Sequence, residues 1–177
     1  YLSLEFTPSQ GFQIQADYWA PESHTIAGRL RFRNVGVLPE PIRFEWVALL
    51  NPSANGEPMA PVKAGGGFIM EGISGGLYPV CVISKQSVPV YSPYPALSLE
   101  FTLFPGDVQD VFWALATLSE AVQSRTLAEQ TLKRNWDAEY ARVEMENERR
   151  RISVFTGNPD WDRVFALSQK VAGSLVL

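Results

Sequence analysis

Glu71 lies in the glycine-rich stretch "AGGGFIMEGISGG", and Asp160 and Asp162 lie close together in "TGNPDWDRVF". Carboxylates at such positions could serve as general acid or base. Glu71 has no partner that spacing can nominate, so it is expected to be a turn residue. Asp160 is accounted for by the positive end of a helix dipole, without any chemistry. His24 is the sole histidine and stands in the turn-like "PESHT". A nucleophile triad or a zinc site needs partners that this spacing does not supply, so His24 is expected on an exposed loop. Cys81, the sole cysteine, sits in the apolar run "VCVI" and is expected to be a buried, inert thiol. The glycine-rich stretch lacks the Lys-Ser/Thr of a P-loop and the dinucleotide spacing, and no helix follows it. A loop or bulged hairpin between strands explains it. No catalytic residue, metal ligand or cofactor is assigned on these grounds.

The elements that would position such groups are bounded first by composition. A chain of 177 residues makes one domain, or one domain with an appendage. With 46% hydrophobic and 19% charged residues it has the make-up of a globular protein. A net charge of −4 argues against a nucleic-acid or anionic-membrane surface. The basic run Arg149-Arg150-Arg151 follows Glu144, Glu146 and Glu148, as on a charge-laced helix face. A single cysteine forbids an intrachain disulfide and points toward the cytoplasm. No apolar stretch is long enough to span a membrane, and no signal peptide is visible. The first residue is Tyr1 and not Met, so a trimmed N-terminus is expected.

Residues 1–117 read as β, an antiparallel sandwich of the supersandwich kind. Short alternating runs are punctuated by Gly, Pro, Asn and Ser. "TIAGRLRFRN" places Ile26, Leu30 and Phe32 on one face and Arg29, Arg31 and Arg33 on the other. "PIRFEWVALL" alternates and then turns wholly apolar, which suits a strand covered on both sides. The string "LSLEFT" occurs at Leu2–Thr7 and again at Leu97–Thr102. The likeness does not extend further, so it is taken as two strands of similar role. Tyr18 and Trp19 in "ADYWAPES", with Tyr91 and Tyr94 in "VYSPYP", are weak candidates for stacking on sugar. Packing against another domain, or within the sandwich core, are the competing uses of these rings.

Residues 118–157 change texture to helix. "TLSE" has the form of a capping box, Thr117 with Glu120. Ala121, Ala128, Leu132, Trp136, Tyr140 and Val143 then recur at steps of three and four, as one helix or as two meeting near Asn135. "ISVFTG" interrupts the pattern. Asn158 as N-cap, Pro159 at the first helical position and Asp160 behind it start a last helix over 158–177. Its apolar side holds Trp161, Val164, Phe165, Val171 and Leu175, which together would contribute about 8–15 kcal/mol if fully buried, as an upper bound. That helix is expected to be the first element of a further helical domain outside this chain. The alternatives are packing on the sandwich, or on another copy in a homo-oligomer.

The order of sandwich, then "LSLEFTLFPGDVQDVFWALATLSEAVQSRTLAEQTLKRNWDAEYARVE", then "TGNPDWDRVFALSQ" resembles a junction in certain glycoside hydrolases. These have an N-terminal β-sandwich, a helical linker and an (α/α)6 catalytic barrel. They include bacterial glucoamylases, the glycogen-debranching amylo-α-1,6-glucosidase type and inverting disaccharide phosphorylases. The strand ending at Phe104-Pro105-Gly106, the linker pair Trp136-Asp137 and the entry to the last helix hold the likeness. It implies a non-catalytic domain that braces a barrel acting on α-glucan or oligosaccharide, without a redox cofactor. The acid and base, about 6.5–9.5 Å apart in an inverting hydrolase, would then lie on the barrel. The alternative is a free-standing sandwich that binds carbohydrate or protein, with the helices as an oligomerisation segment.

Overall fold

Alternation of apolar and polar side chains lets a strand bury one face and wet the other. That pattern is realised through most of the N-terminal half. The computed structural model describes residues 2–90, 93–150 and 152–174, with backbone alone at 147, 150 and 170–174. The strands are β1 (Leu2–Ser9), β2 (Phe12–Glu22), β3 (Thr25–Asn34), β4 (Glu40–Val47), β5 (Glu57–Ala64), β6 (Gly67–Ile73), β7 (Tyr78–Ile83), β8 (Val88–Pro89), β9 (Ala96–Leu103) and β10 (Val108–Leu118). The helices are α1 (Ala121–Leu132), α2 (Trp136–Arg150) and α3 (Pro159–Ser174). The chain divides into two units, Tyr1–Lys133 and Arg134–Leu177.

The first unit is a two-sheet antiparallel sandwich. One sheet has seven strands in the order β1-β2-β3-β10-β7-β6-β5, and the other has three in the order β4-β9-β8. Between them lies the core, with Phe32, Met70, Val111 and Trp113 of the large sheet facing Leu97 and Leu99 of the small one. Trp46 of β4 meets Trp113 with ring centroids 4.7 Å apart, and Phe32 stands edge-on to Phe44 at 5.5 Å. Gly28 pairs with Trp113 across β3 and β10, and a Cβ at residue 28 would collide with the indole. Asn34, nearly fully buried, ties the sheets at one corner by donating to the carbonyls of Leu38 at 2.8 Å and Leu103 at 2.9 Å.

α1 covers the outer face of the large sheet over β10 and β7. Ala114, Ala116 and Val80 are fully buried, as are Ser124, Ala128 and Thr131 of the helix. Small residues on both sides permit this close approach.

Four sequence expectations are corrected here. The capping box at Thr117 does not form. β10 runs on to Leu118, the Thr117 amide donates to the His24 carbonyl at 2.9 Å, and α1 opens at Glu120 with no side-chain cap. Instead the Ser124 hydroxyl accepts from the Leu118 amide at 2.8 Å. Glu71 is not in a turn but within β6, opposite Ala60 and Val80. The turns lie on either side of it, at Gly65 with φ of +59° and at Gly75 and Gly76 with φ of +61° and +76°. β4 is covered on one side only, since it is an edge strand whose outward residues are exposed, and the chain has left the strand by Ala48. The two "LSLEFT" segments do not share a role: β1 is an edge of the large sheet and β9 is the centre of the small one.

In the second unit, α2 begins after Asn135, whose side-chain oxygen accepts from the Ala138 amide at 3.1 Å as an N-cap. The helix is laced by charge as its sequence suggests. Arg142 binds Glu139 at 3.0 Å and Glu146 at 2.8 Å, and these carboxylates raise its already high pKa.

Candidate functional site

Tyr18 and Trp19 are successive residues of β2 and so point to opposite faces. Tyr18 packs into the core, edge-on to Trp113 with centroids 5.9 Å apart. Trp19 is buried on the outer face, at 4% exposure. β2 is thus covered on both sides at this point, and both rings serve packing. Tyr94 is exposed, while Tyr91 lies outside the described residues.

Two arginines of the outer-face row, Arg29 and Arg31, are engaged by acids of neighbouring strands. Asp17, whose side chain is fully buried, accepts from Arg29 Nε at 3.1 Å and Nη2 at 2.9 Å. Its other oxygen takes Ser3 Oγ at 2.7 Å and Gln15 Nε2 at 3.1 Å. Arg31 grips Asp110 with two bonds of 2.8 Å. Fork-to-carboxylate pairing of this kind is geometrically specific. It ties β1, β2, β3 and β10 together and uses the arginine charge within the sheet.

The remaining chemical candidates are dispersed. His24 is exposed in the β2–β3 turn, and Cys81 is buried in the core. Burial pushes the Cys81 thiol up to about 12, against a smaller opposing effect of the Trp46 indole, so no thiolate forms near neutrality. The glycine-rich hairpin borders an open cleft of about 430 Å³ lined by Gly66, Phe68, Ser84, Lys85, Gln86 and Glu129. Its acid, Glu129, is 2.8 Å from Arg125 in the same helix, so the cleft holds one carboxylate already in an ion pair. Among the described residues no cluster of three or more His, Cys, Asp or Glu could hold a metal ion.

α3 presents a different surface. Asn158 caps it as expected, its side-chain oxygen accepting from the Asp160 amide at 3.0 Å. Asp162, one of the two closely spaced acids, accepts from the Thr156 amide at 2.8 Å and the Thr156 hydroxyl at 2.7 Å. These bonds favour the ionised carboxylate and lower its pKa, the amide acting most strongly. Gln169 clasps the backbone of Ile152, accepting from its N–H and donating to its carbonyl, both at 2.8 Å. The polar side of α3 therefore fastens the segment over 152–158 to the helix.

The apolar side is left to solvent. Trp161 is 67% exposed, Val164 57% and Phe165 41%. Leu167, which the sequence-derived stripe omits, is 63% exposed. At 100° per residue these four fall within an arc of about 160°. The side chain of Val171, and Leu175 as a whole, lie outside the described residues. Leu167 was missed because the expected stripe followed a narrow seam at steps of three and four, while the exposed face is broader.

No family model matches the sequence, and no curated protein matches it. The fold has relatives among solved structures. A protein assigned as a kojibiose phosphorylase, from human microbiome, aligns with TM-score 0.52 and 11% identity, over 72% of this chain and 20% of that one. A polysaccharide lyase aligns with TM-score 0.54 and 12% identity, over 71% of this chain and 23% of that one. The chain thus spans about a fifth of the length of these proteins.

Proposed function

We propose that this chain is the non-catalytic β-sandwich module of a carbohydrate-active enzyme, and that the apolar side of α3 seats a helical catalytic domain of the same polypeptide. The observation that carries this is the exposed row Trp161, Val164, Phe165 and Leu167 on a helix whose polar side is already fastened. Covering the exposed part of these four side chains would contribute up to roughly 3–7 kcal/mol, a large fraction of the stability of a domain. The two fold relatives lend support, since each carries the shared fold in about a fifth of a much longer chain with a carbohydrate-acting name. The finer assignment rests on the sequence resemblance: a glycoside hydrolase of the glycogen-debranching or glucoamylase type. Water would attack an α-glucosidic bond of an α-glucan or oligosaccharide with inversion, and acid and base would both sit on the barrel. Here the sandwich braces the barrel and shapes one rim of its cleft.

The test is an assay of the complete gene product, including whatever follows Leu177. With maltooligosaccharides it should release glucose, or a glucose phosphate if inorganic phosphate is the acceptor, while the 177-residue chain alone should release neither. Trp161→Asp combined with Phe165→Asp should destabilise the complete product by several kcal/mol in chemical denaturation and lower its activity. A complete product with no turnover on α-glucosides would refute the enzymatic assignment. One whose stability ignores the double substitution would refute the seat on α3.

A further inference from the structure

Two glycines of the glycine-rich stretch are not explained by the fold. Gly65 has a positive φ of +59° and makes the turn between β5 and β6. Gly66 and Gly67 have no such φ, and a Cβ at either would meet no other part of the chain within 4 Å. Neither conformation nor crowding calls for glycine at these two positions, and glycine there costs stability relative to alanine. What the pair supplies is bare backbone beside open space, as where a ligand approaches the main chain closely. That space is the open cleft of about 430 Å³, a volume in the range of small-molecule sites. A second cleft of about 260 Å³ shares Lys85 and Gln86 with it and extends the lining to Phe101 and Gln109.

We propose that these two clefts are adjoining subsites for a linear α-glucan oligosaccharide. Each cleft holds one partly exposed phenylalanine, Phe68 in the larger and Phe101 in the smaller. A hexose presents an apolar C–H face, which an aromatic ring can cover, and a rim of hydroxyls that both donate and accept. The polar lining meets both needs of such hydroxyls. Gln86 Nε2 donates to the Gly66 carbonyl at 3.0 Å, which leaves its amide oxygen to accept. Glu129 is held by Arg125 at 2.8 Å, so acceptor and donor stand side by side. Lys85 is exposed and adds a further donor. A rim mixed in sign suits a neutral ligand better than a phosphate or a polyanion. Two clefts that share a pair of residues suit a chain of sugars better than a single one. The choice of α-glucan rests on the enzyme class proposed above, whereas the site rests on the clefts and their bare glycines.

Isothermal titration of the 177-residue chain with maltotetraose tests the proposal. Binding with a dissociation constant of about 0.1–1 mM is expected, and maltose, which reaches one cleft only, should bind roughly tenfold more weakly. Gly66→Leu combined with Gly67→Leu fills open space without a clash in the chain, so it should abolish binding and leave the thermal midpoint unchanged. Lys85→Ala combined with Gln86→Ala, at exposed positions shared by both clefts, should weaken binding roughly tenfold. Tyr94→Ala, at an exposed ring outside both clefts, should leave it unchanged. No binding at millimolar maltotetraose overturns the proposal. So does binding that survives both double substitutions, or that is lost with Tyr94→Ala. Equal affinity for maltose and maltotetraose overturns the pairing of the clefts. The enzyme class fails separately: a complete gene product that cleaves α-glucosides, beside a 177-residue chain that ignores maltotetraose, keeps the class and rejects the clefts.

Discussion

The two "LSLEFT" segments put one hexapeptide into two environments. In β9 it is paired on both edges, and its leucines close the core against Phe44, Trp46 and the large sheet. In β1 it is paired on one edge only and its leucines are about half exposed. Ser3 donates to the buried Asp17, whereas Ser98 Oγ is buried with no hydrogen-bond partner among the described residues. Local propensity is the same in both places, so the difference belongs to topology. What a strand contributes to stability is set by the neighbours the fold brings to it.

The largest expected effects come from cutting the polar anchor on which Ser3 rests, and from hollowing the core at β9. Asp17→Ala leaves Arg29 partly buried without its carboxylate and should cost about 3–5 kcal/mol in urea denaturation. On the solvent side of β9, Arg43 and Glu100 meet only at 4.0 Å with mostly exposed side chains, so Glu100→Ala should change stability by less than about 0.5 kcal/mol. Leu97→Ala should cost about 2–5 kcal/mol, while Leu2→Ala, at the matching position of β1, should cost below about 1 kcal/mol. Equal losses at residues 2 and 97 would erase the contrast between the two copies.

The serines sharpen it further, because they should differ in sign. Ser3→Ala removes a donor from a buried carboxylate and should cost about 1–2 kcal/mol. Ser98→Ala removes a buried hydroxyl without a partner and should be neutral or slightly stabilising by the same measurement. The smallest effect belongs to α3. The Asp162 carboxylate is depressed from its ordinary 3.8 by Thr156, so its hold on Thr156 is complete above that value. The hold is lost as pH falls through the lowered pKa. Amide exchange at Thr156 should therefore accelerate, relative to neighbouring amides, only in strong acid, and Asp162→Asn should abolish that pH dependence.

Much of the architecture was legible because it follows from period. Alternation in "TIAGRLRFRN" fixes which arginines share a face, and the order Asn158, Pro159, Asp160 marks the start of α3. Asn135 likewise marks the break between helices. What stayed hidden depends on partners distant in sequence. Thr117 carries a cap signal, yet β10 pairing with β7 and the bond to His24 hold it in the strand. Glu71 sits among glycines that suggest a turn, but the glycines with positive φ, Gly65 before it and Gly75 and Gly76 beyond it, lie outside β6 on either side. "PIRFEWVALL" looks like a strand buried on both faces because the apolar residues after Val47 follow it without a break in the sequence. The Asp17–Arg29 pairing depends on the register between β2 and β3, which neither segment reveals alone. On α3, helical spacing placed Trp161, Val164 and Phe165 on one side, where the structure leaves them exposed, but did not pick out Leu167.

The seat on α3 is most directly tested by hydrogen–deuterium exchange over Pro159–Ser174, compared between the 177-residue chain and the complete gene product. The account predicts fast exchange in the chain alone and slowing by orders of magnitude in the complete product, where a further domain covers Trp161, Val164, Phe165 and Leu167. Equally fast exchange in both, or a gene product that ends at Leu177, would contradict it.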